Sequence, residues 1–589
     1  MSIKMEKIAV AMLLLFFLAS GLYYAATNSI TSDEKTHMAT GYMNLRFNDY
    51  RFNIEHPPLV KQLAALPLLA LNLNFPFDIY KVAVPADIVK IQNAFLYKLG
   101  NDLDLMLFLS RIPNILLAVL LGLFIYMYSK KLNGIFAGLI SLSLFVFSPL
   151  FLGHSPLVTM DSTIGCFYFI TIYFLARYFE TDKDKFLFAT SVCFGLSLIS
   201  KFSGLLLIPT LYLLVVLRGL YPVPEHAKIN FKSRILKHII FVLFLIFTVS
   251  YKKSFRLIMP AAIVYALSYI FYKKPNIFSK INFIGRALLI IMVVGFAVVI
   301  LDYTDYSWFP FHSATMPYFK GFSYFEGHAE FGQGSYLLGN NSKIGGWWYY
   351  FPFAMLVKEP FVTMLFFMLG IIGLCVKKEK ILNKALLVVP AGAYLFVAMF
   401  INKLNIGTRL ILPVYPFLFV IAGYSALAVG RSKVFKYILL LLILILAADV
   451  ISAYPAHLSY FNRLAGGIDS GHKFLGDSNI AWGQDWKRVK EYLVKHSIEK
   501  VKLSASFIDE NMRDYYKIPY EDLTKAEKIV PEEGYYLIET IAFTEKPERK
   551  IKWLDKIRPV SRIGGSVLAY HITKDDIAAL SKDAGSNNK

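Results

Sequence analysis

The feature that most constrains this chain is its series of long apolar runs, of which VFKYILLLLILILAADVISAY at positions 434–454 is typical. A helix needs about 20 mainly apolar residues to cross the roughly 30 Å hydrocarbon core of a bilayer. Hydrophobic residues make up 56% of the 589 positions and charged residues only 17%, which leaves little polar sequence for soluble domains. The sequence therefore predicts an α-helical polytopic membrane protein.

The lengths of these runs predict about thirteen transmembrane helices. Their approximate limits are 8–26, 105–128, 134–152, 162–179, 186–200, 203–219, 238–250, 256–272, 285–302, 351–375, 384–401, 409–429 and 434–453. If the N-terminus is inside, the cytoplasmic side receives the basic clusters near 130, 182–185, 218–237, 273–280, 377–380 and 431–433, as the positive-inside rule requires. The net charge of +21 then reflects topology and contact with membrane lipids, and we expect no nucleic-acid partner.

The same topology predicts that residues 1–454 form a transmembrane domain with two long extracytoplasmic loops, 27–104 and 302–350. Residues 455–589 are much less hydrophobic. Segments of strand character, such as GYYLIETIAF, alternate there with segments of helical character, such as DWKRVKEYLVKH. This pattern predicts a small extracytoplasmic α/β domain with a disordered tail.

Several ionisable residues next to the spans fall on the extracytoplasmic side. Near the bilayer such groups tend to be paired or functional, because an ionised side chain at its centre costs about 2.5–3.5 kcal/mol on insertion scales. Each one alone is more often a structural anchor, but acids and bases from five segments on one side indicate a site. These residues are Asp33, Glu34, His37, Glu55 and His56 in the first loop, Asp161 at the fourth span, Lys201 after the fifth and Arg409 at the twelfth.

The segment NIEHPPLVKQLAALPLLAL, residues 53–71, predicts a short helix after a double proline. It is apolar but interrupted by Lys61 and Gln62, and it is too short to span a membrane comfortably. We expect it to lie in the membrane interface, either as a simple packing element or as a platform that presents Glu55 and His56 to a headgroup.

Six motifs in chain order resemble those of the GT-C glycosyltransferases of the dolichyl-phosphate-mannose–protein mannosyltransferase type. This group includes the bacterial aminoarabinose transferases that act on lipid A. The resemblance runs from about residue 30 to 490. The motifs are SDEKTHMATGY, IEHPPLVKQLAALPLL, LVTMDSTIGCFYFITIYFLARYF, GLSLISKFSG, GTRLILPVYPFL and LSYFNRLAGGIDSGHKFLGDSNIAWGQDW.

The resemblance implies an enzyme of the plasma or inner membrane that transfers one sugar from a polyprenyl phosphate, with inversion, on the extracytoplasmic face. The acceptor hydroxyl would belong to a protein, lipid A or another envelope glycan. Asp33 matches the family's general base, with Glu34 beside it as a paired acid, and Asp161 matches a second acid. Lys201 and Arg409 match positions that hold the donor phosphate.

Other positions match the family less completely. The resemblance implies a divalent metal at Glu55, whereas His56 stands where the lipid A branch has a lysine. We expect substrate contacts from His56, from His37 and, in the aromatic loop 318–351, from Glu326 and His328, of which His328 is also a candidate metal ligand. Ala481 replaces an aspartate expected in bacterial relatives, so we predict no catalytic role for DSNIAWGQDW.

Two other functions fit part of the pattern. A transporter or flippase for a lipid-linked sugar would favour ionisable groups at the bilayer midplane and repeated halves, whereas here the acids fall at one face and the halves do not repeat. An oligosaccharide ligase that uses a diphosphate lipid donor is the other alternative. Neither a Walker loop nor a dinucleotide fingerprint is present in the sequence, so we expect no nucleotide cofactor.

Overall fold

The computed structural model describes residues 2–220, 275–302, 316–431, 433–523, 529–545 and 551–586. Within these ranges, seven helices are long and apolar enough to cross a membrane. An eighth span results if the helices Tyr350–Lys358 and Phe361–Val376, which are bent by 119° about Pro360, are counted as one. The seven helices are Ile3–Thr27, Leu103–Asn133, Met160–Thr181, Phe202–Gly219, Ile381–Phe400, Thr408–Leu427 and Val434–Ser452.

Each predicted span that falls in the described ranges coincides with helical structure, which confirms the polytopic α-helical class. Two predicted spans, 134–152 and 351–375, are each divided into two helices. Residues 134–152 form two helices because Ser148 caps a new helix that begins with Pro149. The predicted spans 238–250 and 256–272 lie outside the described residues, so the total of thirteen stays a prediction. The span Phe202–Gly219 consists of a 3-10 turn followed by the α-helix Leu207–Gly219, and the other helices of the bundle are Ile135–Val146, Pro149–His154, Asp184–Ser200 and Pro275–Asp302.

The helices differ in how deeply they lie within the bundle. In an 18-residue window of Met160–Thr181, 89% of the residues are buried, and the corresponding value for Thr408–Leu427 is 83%. For Val434–Ser452 the value is only 17%, so this helix lies at the periphery and exposes leucine and isoleucine side chains. The two most buried of the seven spans are therefore those that carry Asp161 and Arg409 in their first turns.

The first loop is folded and packs on the bundle. The short helix predicted after the double proline is observed as Leu59–Ala65, extended by a 3-10 turn over Leu66–Ala70. The helix Ser32–Phe47 crosses it closely at Gly41, where any Cβ would clash with the carbonyl oxygen of Lys61. The remaining helices of the loop are Phe77–Val82 and Ile88–Asn93.

The C-terminal region contains the predicted α/β domain. Two short strands, β1 (Ser335–Leu337) and β2 (Asn340–Ser342), form a separate hairpin earlier in the chain. The strands of the domain are β3 (Val501–Ser504), β4 (Tyr520–Asp522), β5 (Gly534–Glu539), β6 (Ser561–Ile563) and β7 (Val567–Ile572). They form one sheet with the order β4-β3-β5-β7-β6, in which β3 pairs in parallel with β4 and β5, and β7 pairs antiparallel with β5 and β6. The helix Lys574–Ser586 extends into the tail predicted to be disordered. The domain's other helices are Trp486–Lys495, Glu510–Tyr516 and Ala542–Glu545.

The C-terminal domain shares a hydrophobic core with the first loop. Met38 and Phe95 of the loop belong to the same buried cluster as Trp486 and Val501. Lys35 of the first loop also forms an ion pair of 2.6 Å with Asp509. The segment that leads into this domain also contacts the loop, because the N–H of Ser32 donates to the carbonyl oxygen of Trp482 at 3.0 Å.

Candidate active site

Glu34, which the resemblance implies as a paired acid beside Asp33, lies in a buried ion pair with Arg111. Its side chain is fully buried and accepts hydrogen bonds from Arg111 Nε at 2.9 Å and Nη2 at 2.7 Å. The backbone N–H groups of Thr31 and Val158 also donate to it. Burial alone would raise the pKa of Glu34, but the charge of Arg111 and these hydrogen bonds hold it below its ordinary value. Glu34 thus joins the first loop to the helix Leu103–Asn133.

Asp33, one residue earlier on the same helix, is accessible. Its side chain is 34% exposed, and its Oδ2 lies 3.4 Å from Arg409 Nη1. Successive residues of a helix are about 100° apart, so two adjacent carboxylates can face a buried core and an open site. Asp33 is therefore a carboxylate that a substrate could reach.

Asp161 lies between two cations. It is in the first turn of the helix Met160–Thr181, and its side chain is only 2% exposed. One carboxylate oxygen accepts from Lys201 Nζ at 2.5 Å, and the other lies 3.4 Å from Arg409 Nη1. Asp161 therefore orients both cations, which is a different geometry from that of a second acid open to substrate.

Lys201 and Arg409 reach this point from breaks in their helices. Lys201 follows the helix Asp184–Ser200 in an extended conformation, and Arg409 opens the 3-10 segment Thr408–Val414. Because both side chains are largely buried, at 10% and 12% exposure, their positions are restricted by packing. The four residues Asp33, Asp161, Lys201 and Arg409 form one connected set, as the sequence predicted.

Of the two predicted histidines of the first loop, His37 is buried and His56 is half-buried next to this set. His37 is 2% exposed and donates from Nδ1 to the carbonyl oxygen of Val158 at 2.6 Å, so the structure does not offer it as a substrate contact. The His56 ring lies 5.5 Å from the His37 ring. Burial lowers the pKa of both imidazoles, and that of His56 lies well below its ordinary value with Lys201 and Asp161 among the charges that act on it.

Glu55 and His328 approach each other at the edge of the site. Glu55 Oε2 lies 3.9 Å from His328 Nδ1, and Glu55 Oε1 accepts from the side-chain amide of Asn53 at 3.0 Å. Part of the predicted aromatic loop is a helix, Met316–Phe331, which packs at Gly321 on the backbone of Ile54. Glu326 is exposed on this helix.

These contacts do not by themselves form a metal site. Among the residues that the structure describes, no group of three histidine, cysteine, aspartate or glutamate side chains could hold a metal ion. Protein sites for divalent metals usually supply three or more ligands, and Glu55 with His328 supplies two. The metal at Glu55 stays a prediction, and no chemical step is derived through it.

The segment from Asp477 to Trp482 contacts Arg409, which the sequence did not indicate. Arg409 Nε donates to Ser478 Oγ at 3.0 Å, and its guanidinium carbon lies 4.0 Å from the centroid of the Trp482 ring. This segment belongs to the last of the six motifs, for which the sequence predicts no catalytic role because Ala481 replaces an acid. Ala481 is fully buried, and its neighbours on both sides make the contacts. The match of this segment to the sixth motif was the feature of the sequence that could have indicated a role for it.

Comparison with family models gives one match, over residues 93–251, to the family described as dolichyl-phosphate-mannose-protein mannosyltransferase. The matched segment includes Asp161 and Lys201. The resemblance inferred from the motifs is confirmed for this segment. Comparison with curated protein sequences gives no match.

Solved structures of ArnT and of the oligosaccharyltransferase AglB align with most of the chain at low identity. Apo ArnT from Cupriavidus metallidurans has 11% identity and a TM-score of 0.44, with 97% of this chain and 98% of ArnT covered. ArnT bound to undecaprenyl phosphate has 12% identity and a TM-score of 0.42, with 98% of this chain and 99% of ArnT covered. A third structure is the oligosaccharyltransferase AglB from Archaeoglobus fulgidus in complex with an inhibitory peptide and a dolichol-phosphate. It has 12% identity and a TM-score of 0.43, with 90% of this chain and 62% of AglB covered. At these values the similarities do not assign a function.

Proposed function

We propose that this chain is an integral-membrane glycosyltransferase that moves one sugar from a polyprenyl-phosphate donor to an acceptor hydroxyl. The observation that carries the proposal is the arrangement of Asp161 between Lys201 and Arg409, with the accessible Asp33 at the same guanidinium nitrogen, Nη1, of Arg409. Such a site offers two fixed cations for a phosphate and one open carboxylate for a proton. The family-model match over residues 93–251 supports the same assignment.

Lys201 and Arg409 would bind the phosphate of the donor. As the bond between the anomeric carbon and the phosphate oxygen breaks, the electron pair leaves with the phosphate, whose negative charge grows. Cations that are already fixed in place stabilise such charge more than mobile ones, because they need no reorganisation during the reaction. Asp161 would act as a positioning residue, since it fixes both cations and is too buried to meet an acceptor.

Asp33 would act as the general base. It takes the proton of the acceptor hydroxyl while that oxygen attacks the anomeric carbon from the face opposite the phosphate, so the configuration inverts. A well-placed base contributes roughly 10²–10⁴-fold to the rate. The negative charge of Asp33 also favours the positive charge that develops on the sugar ring.

Contacts at the opposite ends of the helices support an extracytoplasmic orientation of the site. Lys130 pairs there with Glu6, and Lys131 pairs with Glu180. Lysines at the ends remote from the site agree with the positive-inside rule. The same geometry disfavours the transporter alternative, because Asp161 and Arg409 lie in the first turns of helices long enough to span a membrane, Met160–Thr181 and Thr408–Leu427, and so near one face rather than at the midplane.

The test is transfer of a radiolabelled sugar from a synthetic polyprenyl phosphate to membranes of cells that lack the protein. Purified full-length protein should label one class of acceptor, which fractionation into protein, glycolipid and polysaccharide identifies by mass spectrometry. Asp33→Asn should abolish transfer. Asp87→Asn is the matched control, since Asp87 lies in the same loop in an exposed pair with Lys90. Absence of transfer by the wild-type protein, or full activity of Asp33→Asn, would contradict the proposal.

A further inference from the structure

Arg409 is held by more than its two carboxylate partners. Its Nε donates to Ser478 Oγ, and its guanidinium lies against the face of Trp482, both in the segment that leads into the C-terminal domain. The side chains of Ser478 and Trp482 are almost completely buried, at 1% and 2% exposure. A guanidinium on an aromatic face that is shielded from water is held more strongly than one on an exposed ring.

The same segment also fixes the backbone on both sides of Arg409. Ser478 Oγ donates to the carbonyl oxygen of Ile406 at 2.6 Å, and the Thr408 N–H donates to Asn479 Oδ1 at 3.1 Å. Gly407 makes this approach possible, because it has a φ of +151° and any Cβ there would clash with Ser478 Oγ. Two successive residues of the segment therefore hold the backbone and the side chain of Arg409.

The segment is in turn attached to the bent pair of helices. Lys358 Nζ donates to the carbonyl oxygens of Asn479 at 2.6 Å and Leu458 at 2.8 Å. The side-chain amide of Asn479 donates to the hydroxyl of Tyr350 at 2.9 Å. Because Lys358 and Tyr350 both belong to the membrane domain, these hydrogen bonds fix the segment as a wall beside Arg409.

Orientation matters for Arg409 because several acids attract it. Asp33 and Asp161 each lie 3.4 Å from Nη1, and Asp477 is a third carboxylate whose charge acts on the guanidinium. Without lateral support the guanidinium could turn to form a two-pronged pair with one of these acids. The ring of Trp482 and the hydroxyl of Ser478 fix its plane.

We propose that Ser478 and Trp482 are positioning residues that hold Arg409 ready for the donor phosphate, so that the segment entering the C-terminal domain forms one wall of the donor site. This inference rests on the proposed function, because it needs Arg409 to bind donor. It assigns a role to a segment that carries no acid at position 481.

The test is steady-state kinetics of the full-length protein, with the donor concentration varied. Trp482→Ala should raise the donor KM by about 2- to 30-fold, and Trp482→Phe should restore most of the loss because a phenyl ring also binds a cation. Ser478→Ala should raise the same KM. Ser459→Ala is the matched control, because Ser459 is equally buried in the same connection and donates to the carbonyl oxygen of Ile480 without touching Arg409.

A double-mutant cycle separates positioning from packing. In an Arg409→Ala background, Trp482→Ala should raise the donor KM no further, because the residue it positions is gone. An equal effect in both backgrounds, or unchanged donor KM in Trp482→Ala and Ser478→Ala, would overturn the inference. If Arg409→Ala alone leaves the donor KM unchanged, the phosphate assignment of the proposed function fails instead. Should Trp482→Ala not fold, the cycle is made with Ser478→Ala.

Discussion

Glu34→Gln should destabilise the fold, whereas Asp33→Asn should remove activity and leave the fold intact. The two carboxylates are adjacent in sequence but have opposite environments. The side chains of Glu34 and Arg111 are both 0% exposed, whereas that of Asp33 is 34% exposed and its pair with Arg409 is longer, at 3.4 Å. This contrast allows a direct comparison of a structural and a chemical role.

The expected loss of folding stability in each variant depends on how deeply its carboxylate is buried. Removing one partner of a buried ion pair costs about 3–5 kcal/mol, because the other charge is left unpaired away from water. Arg111 would keep its hydrogen bonds to the carbonyl oxygens of Ala25, Asn28 and Ser29, which reduce the loss. A partly exposed pair such as that of Asp33 is worth about 0–1 kcal/mol. Glu34→Gln should therefore cost several times more stability than Asp33→Asn.

The assay is thermal unfolding of the purified variants in detergent, together with sugar transfer measured well below both unfolding temperatures. Glu34→Gln should unfold at a clearly lower temperature and still transfer sugar, and Asp33→Asn should show the reverse. Glu34→Gln protein with wild-type thermal stability and no transfer would refute the structural assignment. Because the pKa of Glu34 is lowered in the fold, its contribution to stability should be complete at neutral pH. It should be lost as the pH falls below about 4.3.

Three further predictions concern the surroundings of the site. Asp161→Asn should raise the donor KM by about 10- to 100-fold, since Lys201 and Arg409 lose the charge they share, and unchanged donor kinetics would count against its positioning role. Lowering the pH below about 6.5 should lower the unfolding temperature, because burial depresses the pKa of His37 and the unfolded chain then binds more protons than the folded one. His37→Gln should weaken this dependence of the unfolding temperature on pH. Gly407→Ala should raise the donor KM and lower the unfolding temperature, whereas Gly392→Ala, in a helix with open space at Cβ, should do neither.

The sequence predicted the elements that depend on local patterns. Apolar runs located the helices, and the placement of ionisable residues beside those runs grouped Asp33, Asp161, Lys201 and Arg409 correctly. The pattern of apolar residues indicates how long a helical span is but not whether it bends, so it did not predict the 119° bend at Pro360 or the division at Pro149. The prolines were visible, but a proline also occurs within the continuous helix Ile381–Phe400.

What the sequence could not supply was the orientation of individual side chains. Glu34 and Asp33 look equivalent in SDEK, and only the position of Arg111, far along the chain, distinguishes them. His37 likewise looks like a site residue until its bond to the Val158 carbonyl is known. Ser478 and Trp482 have no chemical signature of their own. Their role depends on contact with an arginine about 70 residues earlier in the chain.

The three charges Asp33, Glu34 and Lys35 explain why the parts of this protein are joined so tightly. On one helix they point in directions about 100° apart. Asp33 faces Arg409 in the bundle, Glu34 binds Arg111 in the core, and Lys35 pairs with Asp509 in the C-terminal domain. Since Arg409 is also held by the segment entering that domain, the domain is joined both to the helix that carries Asp33 and to the surroundings of Arg409. Its folding and the geometry of the donor site should therefore be coupled.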